Sequence, residues 1–79
     1  MKARVLVRLK PSILDAQGAT VKRALAGLGF AEVQDVRVGK VVDLDLDGLE
    51  PADARRRVDE MCAKLLHNPV IEDFTVELL

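Results

Sequence analysis

Three aspartates alternate with leucines and end at a glycine in the string DLDLDG, residues 43–48. This spacing matches the first half of an EF-hand calcium loop, whose ninth and twelfth positions would fall on Pro51 and Ala54. A calcium loop needs a bidentate glutamate at its twelfth position and a helix before it, whereas the residues upstream alternate like a strand. The string is therefore interpreted as a strand edge that ends in a turn at Asp47 and Gly48, and no metal site is predicted.

A cysteine and a histidine near the end of the predicted second helix, Cys62 and His67, could supply a nucleophile and its base. Five residues apart on a helix, they point about 140° apart, because each residue turns the helix by about 100°. Cys62 also lies on the apolar stripe of the helix, where a thiol usually contributes to packing. His67 is interpreted as a helix-end residue that interacts with the terminal carbonyls. No catalytic pair is predicted.

The basic run Arg55–Arg57 raises the question of nucleic-acid binding, but the surrounding charges argue against it. Asp53, Asp59 and Glu60 balance the run, which favours a solvated helix face. Over the whole chain, 12 basic and 13 acidic residues give a net charge of −1, so there is no general attraction to nucleic acid or to membranes. The only aromatic residues are two phenylalanines, and no glycine-rich phosphate loop is present. Neither kind of partner is predicted.

The size and composition indicate one small domain, residues 1–79, with an aliphatic core. Apolar residues make up 49% of the chain, which is enough for a core, although a core of this size often relies on a partner for stability. The single cysteine cannot form an internal disulfide and fits a reducing compartment. Residues 1–9 alternate instead of forming a signal-peptide block, and no apolar run is long enough to cross a bilayer. A cytoplasmic protein is expected.

The chain is predicted to form strands and helices in the order β-α-β(β)-α-β. Alternation indicates a first strand over residues 2–10 and a last strand with Phe74, Val76 and Leu78 inward. Asp15 is the predicted N-cap of a first helix that ends at Gly29. The apolar face of this helix comprises Val21, Ala24, Leu25 and Leu28. A second helix is predicted to begin at Pro51 and to end before Asn68. Its apolar face comprises Ala54, Val58, Met61, Cys62 and Leu65.

This order resembles a ferredoxin-like α+β fold, β-α-β-β-α-β, with two helices on one face of an antiparallel sheet. In that fold the first strand lies between the third and the fourth strands. Charge patterning agrees, because the outer face of the first strand is basic while its two predicted neighbours are acidic. The basic residues are Lys2, Arg4, Arg8 and Lys10, and the acidic residues are Asp43, Asp45, Asp73 and Glu77.

The string VRVGKVVDLDLDG, residues 36–48, alternates straight through Gly39 and Lys40, where a hairpin turn would be expected. A two-residue turn there would place Val36 and Asp43 on the same face, a slip that the sheet cannot accommodate. A three-residue loop over residues 39–41 keeps the alternation, and so does a continuous strand. Such a strand would extend roughly 36 Å, beyond a domain about 30 Å across, and would pair with another chain. The residues alone leave a bulged hairpin and a shared strand equally open.

The string LDAQG, residues 14–18, is the most unusual local feature outside the strands. As structure it is a helix cap, but glutamine followed by glycine is poor material for a first helical turn, which leaves a contact role open. Because the sequence contains no catalytic constellation, the residues indicate an α+β interaction module.

Four strings together are similar to those of one protein family. RLKPSILDAQG, VKRAL, EVQDVRVGK and MCAKLLHNPVIEDF, in this order and spacing, resemble the PurS subunit of phosphoribosylformylglycinamidine synthase, from Lys2 to the last strand. One departure is Ala16, where the family usually has proline after the capping aspartate. This departure costs some pre-organisation of the helix start and gives no reason for a change of function.

The resemblance implies an accessory, non-catalytic role in de novo purine (IMP) biosynthesis. The family's complex converts formylglycinamide ribonucleotide, glutamine and ATP to formylglycinamidine ribonucleotide, glutamate, ADP and phosphate. In it, a glutaminase subunit (PurQ) releases ammonia and a synthetase subunit (PurL) uses ATP and magnesium, so no cofactor is expected on this chain. The small subunit is expected to bridge the two and to assist ammonia transfer. The resemblance also implies a homodimer, with a tetramer left open, in which strand segments are exchanged. It therefore favours a long shared strand around residues 33–46.

Eight polar or exposed residues of these strings are predicted as partner contacts, and no catalytic, cofactor or metal residue is predicted. The contact residues are Leu6, Asp15, Gln17, Gly18, Gln34, Asp35, Arg37 and Lys40. The alternative function is a small-ligand-sensing regulatory domain, because ferredoxin-like dimers often bind amino acids.

Overall fold

The chain forms a three-stranded antiparallel sheet and two helices. The computed structural model describes residues 1–79. The elements are β1 (Lys2–Leu9), α1 (Ala16–Gly27), β2 (Gly39–Asp45), α2 (Pro51–Met61) and β3 (Glu72–Leu78). β1 is central, in the strand order β2-β1-β3. The predicted α+β class is confirmed, with the observed order β-α-β-α-β. No helix combines the length and the apolar character needed to span a membrane.

Opposite charges across the strands account for the order of the sheet. Lys2 lies opposite Asp45, and Arg4 lies between Asp43 on β2 and Glu77 on β3. Arg4 Nε donates to Asp43 Oδ1 at 2.8 Å, and this bond holds the pKa of the Asp43 carboxyl below its usual value. The predicted neighbours of the first strand are therefore confirmed, since another order would place like charges side by side.

The core lies between the inner face of the sheet and α2. Ala3, Val5 and Val7 are the inward residues of β1 and are fully buried or nearly so. They meet Val58 and Cys62 from the helical segment and Val76 from β3. Burial of aliphatic side chains against one helix is the main stabilising term in a sheet of this size.

The second helix changes geometry at its end. After Met61 it continues into a π-helical turn, Cys62–Leu66, in which the His67 N–H donates to the Cys62 carbonyl, five residues back. His67 Nδ1 lies 2.7 Å from the same oxygen, which confirms the predicted helix-end role of His67. The wider turn brings Leu66 against the core and leaves Leu65 82% exposed. The prediction that Leu65 is buried is wrong, because it assumed an unbroken 3.6-residue period.

No hairpin forms at Gly39. The glycine is the first residue of β2, has no positive φ angle, and lies opposite Arg8 of β1. Residues 33–38 before it form neither helix nor strand within this chain. The predicted fourth strand is therefore absent from the sheet of the single chain, and the predicted long strand over residues 33–46 is a strand only from Gly39 to Asp45.

Helix α1 stands apart from the core. It begins at its predicted N-cap Asp15 and is followed by Gly29 at a φ of 98°, as its sequence predicts. However, α1 contributes no residue to the core cluster, and Val21, Leu28 and the following Phe30 are exposed. The molecule is accordingly elongated, 49 × 25 × 14 Å. Of the two helices expected on one face of the sheet, only α2 forms part of the core within the chain.

Candidate functional site

Two distant segments cross beside the sheet, and a buried aspartate joins them. The segment after β1 leads to Asp15, whose side chain is only 6% exposed. Its Oδ1 accepts the Gly18 N–H at 2.8 Å, and its Oδ2 accepts the Val38 N–H at 2.6 Å. The hydrogen bond from Gly18, and after it the bond from Val38, lowers the pKa of the Asp15 carboxyl by stabilising its ionised form. One carboxylate thus starts α1 and fixes it to the residue before β2.

Arg37 links the same two segments through side-chain hydrogen bonds from the segment before β2 to the segment after β1. Its Nη2 donates to the Lys10 carbonyl at 3.0 Å and to the Ile13 carbonyl at 2.9 Å. The Lys10 and Ile13 carbonyls lie beyond the end of β1 and accept no hydrogen bond from a neighbouring strand. A charged guanidinium suits them as a donor, because each hydrogen bond is then charge-assisted. This crossing of the two segments comprises five residues, Asp15, Gly18, Val36, Arg37 and Val38.

Gly18 is required by the closeness of the crossing. A Cβ at this position would lie 2.2 Å from the Val36 carbonyl oxygen and 2.7 Å from Asp15 Oδ2. This contact explains a glycine in the first turn of α1, where it is otherwise a poor helix former. Asp15 and Gly18 thus contact this chain's own segment before β2, and a contact of residues 14–18 with a partner stays a prediction.

A groove opens beside the crossing, on the outer face of the sheet. Its volume is about 810 Å³, and it brings together four of the predicted contact residues, Leu6, Asp35, Arg37 and Lys40. Leu6 forms the centre of its floor, paired in register with Val41 on β2 and Thr75 on β3. The remaining lining residues include Arg8, Pro11, Gly39 and Asp73.

The structure divides the eight predicted contact residues into three groups. Four line the groove, and Arg37 also belongs to the crossing. Asp15 and Gly18 are buried in the crossing. Gln17 and Gln34 are exposed and lie outside the groove.

Some lining residues were missed by sequence reasoning, although their positions could be found from it. Val41 and Thr75 flank Leu6 on the outer face, so the predicted strand order together with strand alternation places them beside it. Arg8 was assigned to charge pairing across the sheet, but it also lines the groove.

The two side chains considered from sequence as a nucleophile and its base, Cys62 and His67, do not line the groove. Cys62 is buried in the core, and this burial raises the pKa of its thiol, which keeps the sulfur protonated. The ring of His67 packs edge-on against Phe74, with the ring centroids 4.7 Å apart. No three acidic, histidine or cysteine side chains converge on a point where a metal ion could bind. Cys62 and His67 therefore contribute to packing and to the end of the helical segment.

Comparison with known proteins gives one consistent result. The family model for PurS, phosphoribosylformylglycinamidine (FGAM) synthase, matches residues 2–79. The PurS subunit of the Bacillus subtilis synthase is 47% identical over 77 residues, which cover 98% of this chain and 90% of that protein. This chain belongs to the PurS family. It is a subunit of phosphoribosylformylglycinamidine synthase, an enzyme of purine biosynthesis.

Solved structures agree with the family assignment. The crystal structure of Methanocaldococcus jannaschii PurS is 39% identical to this chain, with a TM-score of 0.87 and coverage of 96% and 92% of the two chains. The structure of PurLQS from Thermotoga maritima contains a chain 29% identical to this one, with a TM-score of 0.90 and coverage of 99% and 95%. The resemblance to the PurS family stated from sequence is confirmed.

Substitution of Gly18 tests whether the crossing stabilises the fold. Gly18→Ala should lower the free energy of unfolding by roughly 1–3 kcal/mol, because its Cβ would overlap a backbone oxygen that cannot move freely. Gly27→Ala is the matched control in the same helix, since a Cβ there meets nothing within 4 Å. It should raise stability by about 0.5–1 kcal/mol. Urea unfolding at one protein concentration measures both, and equal effects of the two substitutions would contradict the assigned role of Gly18.

The pH dependence of stability tests the Asp15 hydrogen bonds. Because the folded pKa of Asp15 lies below its unfolded value, the ionised carboxylate stabilises the fold above the unfolded pKa, and this contribution is lost as pH falls through the folded pKa. The stability difference between wild type and Asp15→Asn should be largest above about pH 5 and should shrink towards about pH 3. Asp47→Asn, in an exposed turn, is the control for loss of one negative charge. A difference that stays constant over this range would refute the proposed linkage.

Proposed function

We propose that this chain is a non-catalytic accessory subunit that bridges the glutaminase and synthetase subunits of the synthase and assists the transfer of ammonia between them. The observation that carries the proposal is its near full-length similarity to a chain of the Thermotoga maritima PurLQS structure. The buried thiol, the packed imidazole and the open groove support a binding role over a catalytic one.

The chemistry is then divided among the subunits. The glutaminase releases ammonia from glutamine, and the synthetase uses ATP and magnesium to activate formylglycinamide ribonucleotide. This chain needs no cofactor in such a scheme, because its contribution is to hold the two active sites at a fixed relative position. Ammonia that passes between sites held in this way is less exposed to bulk water and to protonation. The complex would work in the cytoplasm.

We also propose that the working form is a dimer in which the two copies exchange α1 and the segment that precedes β2. The inner face of the sheet is incompletely covered, because Val42, Leu44 and Leu46 are only partly buried. At the same time α1 exposes apolar residues of its own, and residues 33–38 have no strand partner. A ferredoxin-like unit needs a second helix on this face and a fourth strand at the edge of β2. Both pieces are present in the chain, but neither completes the chain's own sheet.

A second copy can supply both missing pieces reciprocally. In a two-fold dimer, each α1 would cover the partner's inner sheet face, and each 33–38 segment would extend the partner's exposed β2 edge. This exchange of identical elements explains a long β2 region that passes through Gly39 without turning back. It also explains how so small an aliphatic core is stabilised.

Reconstitution tests the bridging function. Synthetase and glutaminase subunits mixed with this chain should turn over with glutamine, whereas the two subunits alone should not. With ammonium chloride in place of glutamine, the synthetase should work with or without this chain, because no ammonia has to be transferred between subunits. If the two larger subunits used glutamine equally well without the chain, the adaptor function would be wrong.

Titration of the isolated chain tests the alternative function of a small-ligand sensor. Isothermal calorimetry with glutamine, ATP and nucleotide should show no binding, since an adaptor acts through its protein partners. Clear binding of any of these ligands to the chain alone would favour the sensor and count against the adaptor.

Sedimentation velocity tests the exchanged dimer. The molar mass of the wild type from sedimentation should be twice the chain mass of 8.7 kDa. Val21→Glu places a charge on the apolar face of α1 and should shift the protein towards monomer, whereas Lys22→Glu, on the neighbouring exposed position, should leave the dimer intact. A monomeric wild type at micromolar concentration, or equal behaviour of the two variants, would contradict the proposal.

A further inference from the structure

Strand β3 forms an edge of the sheet, and its outer side pairs with no strand of the chain. In an antiparallel pair, residues whose backbone groups bond the neighbouring strand alternate with residues whose groups point away from it. The Lys10 N–H donates to the Ile71 carbonyl at one end of β3. The Leu79 N–H donates to the Lys2 carbonyl at the other end. The odd-numbered residues of β3 therefore bond β1, and the even-numbered residues direct their backbone groups away from the sheet.

Three even-numbered residues, Phe74, Val76 and Leu78, make up this β3 edge. Their N–H and C=O groups have no hydrogen-bond partner in the chain. The edge begins at Phe74, because the N–H of Glu72 already donates to the Asn68 carbonyl at 2.8 Å. A row of free backbone donors and acceptors is a template for one more strand.

The charged side chains of β3 are all acidic. The strand contains Glu72, Asp73 and Glu77 and no basic residue. Glu77 lies opposite Arg4, but the Arg4 guanidinium is turned to the other side of β1, where it donates to Asp43. No basic side chain lies within 4.0 Å of Glu77. Glu77 is therefore exposed and free to pair with a further strand.

The basic residues of β1 do not cancel this negative charge for a strand added at the edge. Neighbouring strands lie about 4.8 Å apart, so β1 would be about 10 Å from the added strand and β3 half as far. Salt at physiological strength screens exposed charges over about 8 Å, so the nearer acidic row dominates. Lys10 Nζ is 4.0 Å from Asp73, and this long pair between exposed side chains is weak.

A second copy of β3 is a poor occupant of this edge. Antiparallel pairing of two β3 strands with full overlap would be centred on Thr75. It would place Asp73 of each copy opposite Glu77 of the other, and like charges directly opposite each other destabilise a strand pair. The edge therefore disfavours its own copy and favours a strand with basic residues at these two positions.

We propose that the β3 edge binds an extended basic segment of another subunit of the synthase, which adds a strand to the sheet beside β3. On the outer face, basic side chains of the segment would pair with Asp73 and Glu77. On the inner face, its apolar side chains would cover Phe74 and Leu78, which are only partly buried, whereas Val76 between them is buried. The proposal rests on the proposed bridging function and names a surface that performs it.

Residue-resolved amide hydrogen exchange in the full-length wild-type chain tests the added strand. In the chain alone, the amides of Phe74, Val76 and Leu78 should exchange rapidly, whereas those of Thr75 and Glu77, which bond β1, should be protected. In the synthase assembled with the two larger subunits, exchange at the three edge amides should slow by about tenfold or more, because each N–H then donates to the added strand.

Removal of the two negative charges tests the basic character of the segment. Asp73→Asn combined with Glu77→Gln should raise, by about threefold or more, the concentration of this chain that gives half-maximal glutamine-dependent turnover with the two larger subunits. The matched control is Asp47→Asn combined with Glu50→Gln, two exposed acidic residues between β2 and α2, and it should behave like wild type. Added salt should weaken wild type more than the neutral edge variant.

Each alternative result has a defined meaning. Unchanged exchange at the edge amides on assembly, or equal half-maximal concentrations for the edge and control variants, would overturn the proposal. The bridging function would survive either result, since wild type still supports turnover. A wild type that gives no glutamine-dependent turnover would overturn the bridging function itself. Protection of the three edge amides already in the isolated chain would assign the edge to a second copy and equally overturn the proposal.

Discussion

The apolar inner face of the sheet has a larger area than the one helix packed on it can cover. The other features of the structure follow from this incomplete burial. α2 and the π-helical turn cover β1 around Val5 and Val7. The inward residues of β2 remain partly exposed, and the other helix of the chain is directed away from them. Incomplete burial of a sheet face is unfavourable in water, and this supports the proposed dimer. In the proposed exchange, α1 of each copy would cover the exposed part of the other copy's inner sheet face, so no further protein segment would be needed.

The crossing gives the exchange a defined geometry. Asp15 and Arg37 tie the residues that lead into α1 to the segment before β2 through three hydrogen bonds that run in both directions. In the proposed dimer, the sheet that receives α1 would therefore also receive this segment. Gly18 permits this closeness, because any side chain there would meet the Val36 carbonyl. In the proposed dimer, a second copy would cover the inner face of the sheet.

Much of the fold could be predicted because its determinants are local or repeat along a strand. Alternation placed β1 and β3, Asp15 and Gly29 marked the ends of α1, and opposite charges ordered the strands. The π-helical turn could not be predicted, since a hydrophobic period of 3.6 residues gives no signal for one hydrogen bond that skips a residue. A fourth strand was expected from the alternation of residues 33–38, but it does not form in the sheet of the single chain. Alternation shows that a segment can pair in a sheet, and it does not show whether the partner strand belongs to the same chain.

The candidate site was predictable only in part for a similar reason. The resemblance to a family singled out Asp15, Gly18 and Arg37 as distinctive, but a distinctive residue can contact either a partner or its own chain. Asp15 and Val38 are 23 residues apart, and no local pattern reveals that a carboxylate at one position accepts a backbone N–H at the other. The groove likewise depends on Gly39 facing Arg8, a register detail that follows only from the actual pairing of β1 with β2.

Isotope-filtered NMR on a mixed-label dimer would show whether α1 of one copy packs on the sheet of another. Labelled and unlabelled chains would be unfolded, mixed and refolded together, and contacts between the two kinds of chain would be recorded selectively. Cross-chain contacts are expected from the methyl groups of Val21 and Leu25 to those of Val42, Leu44 and Leu46. Contacts between these methyl groups within one chain, or none at all, would contradict the proposed exchange.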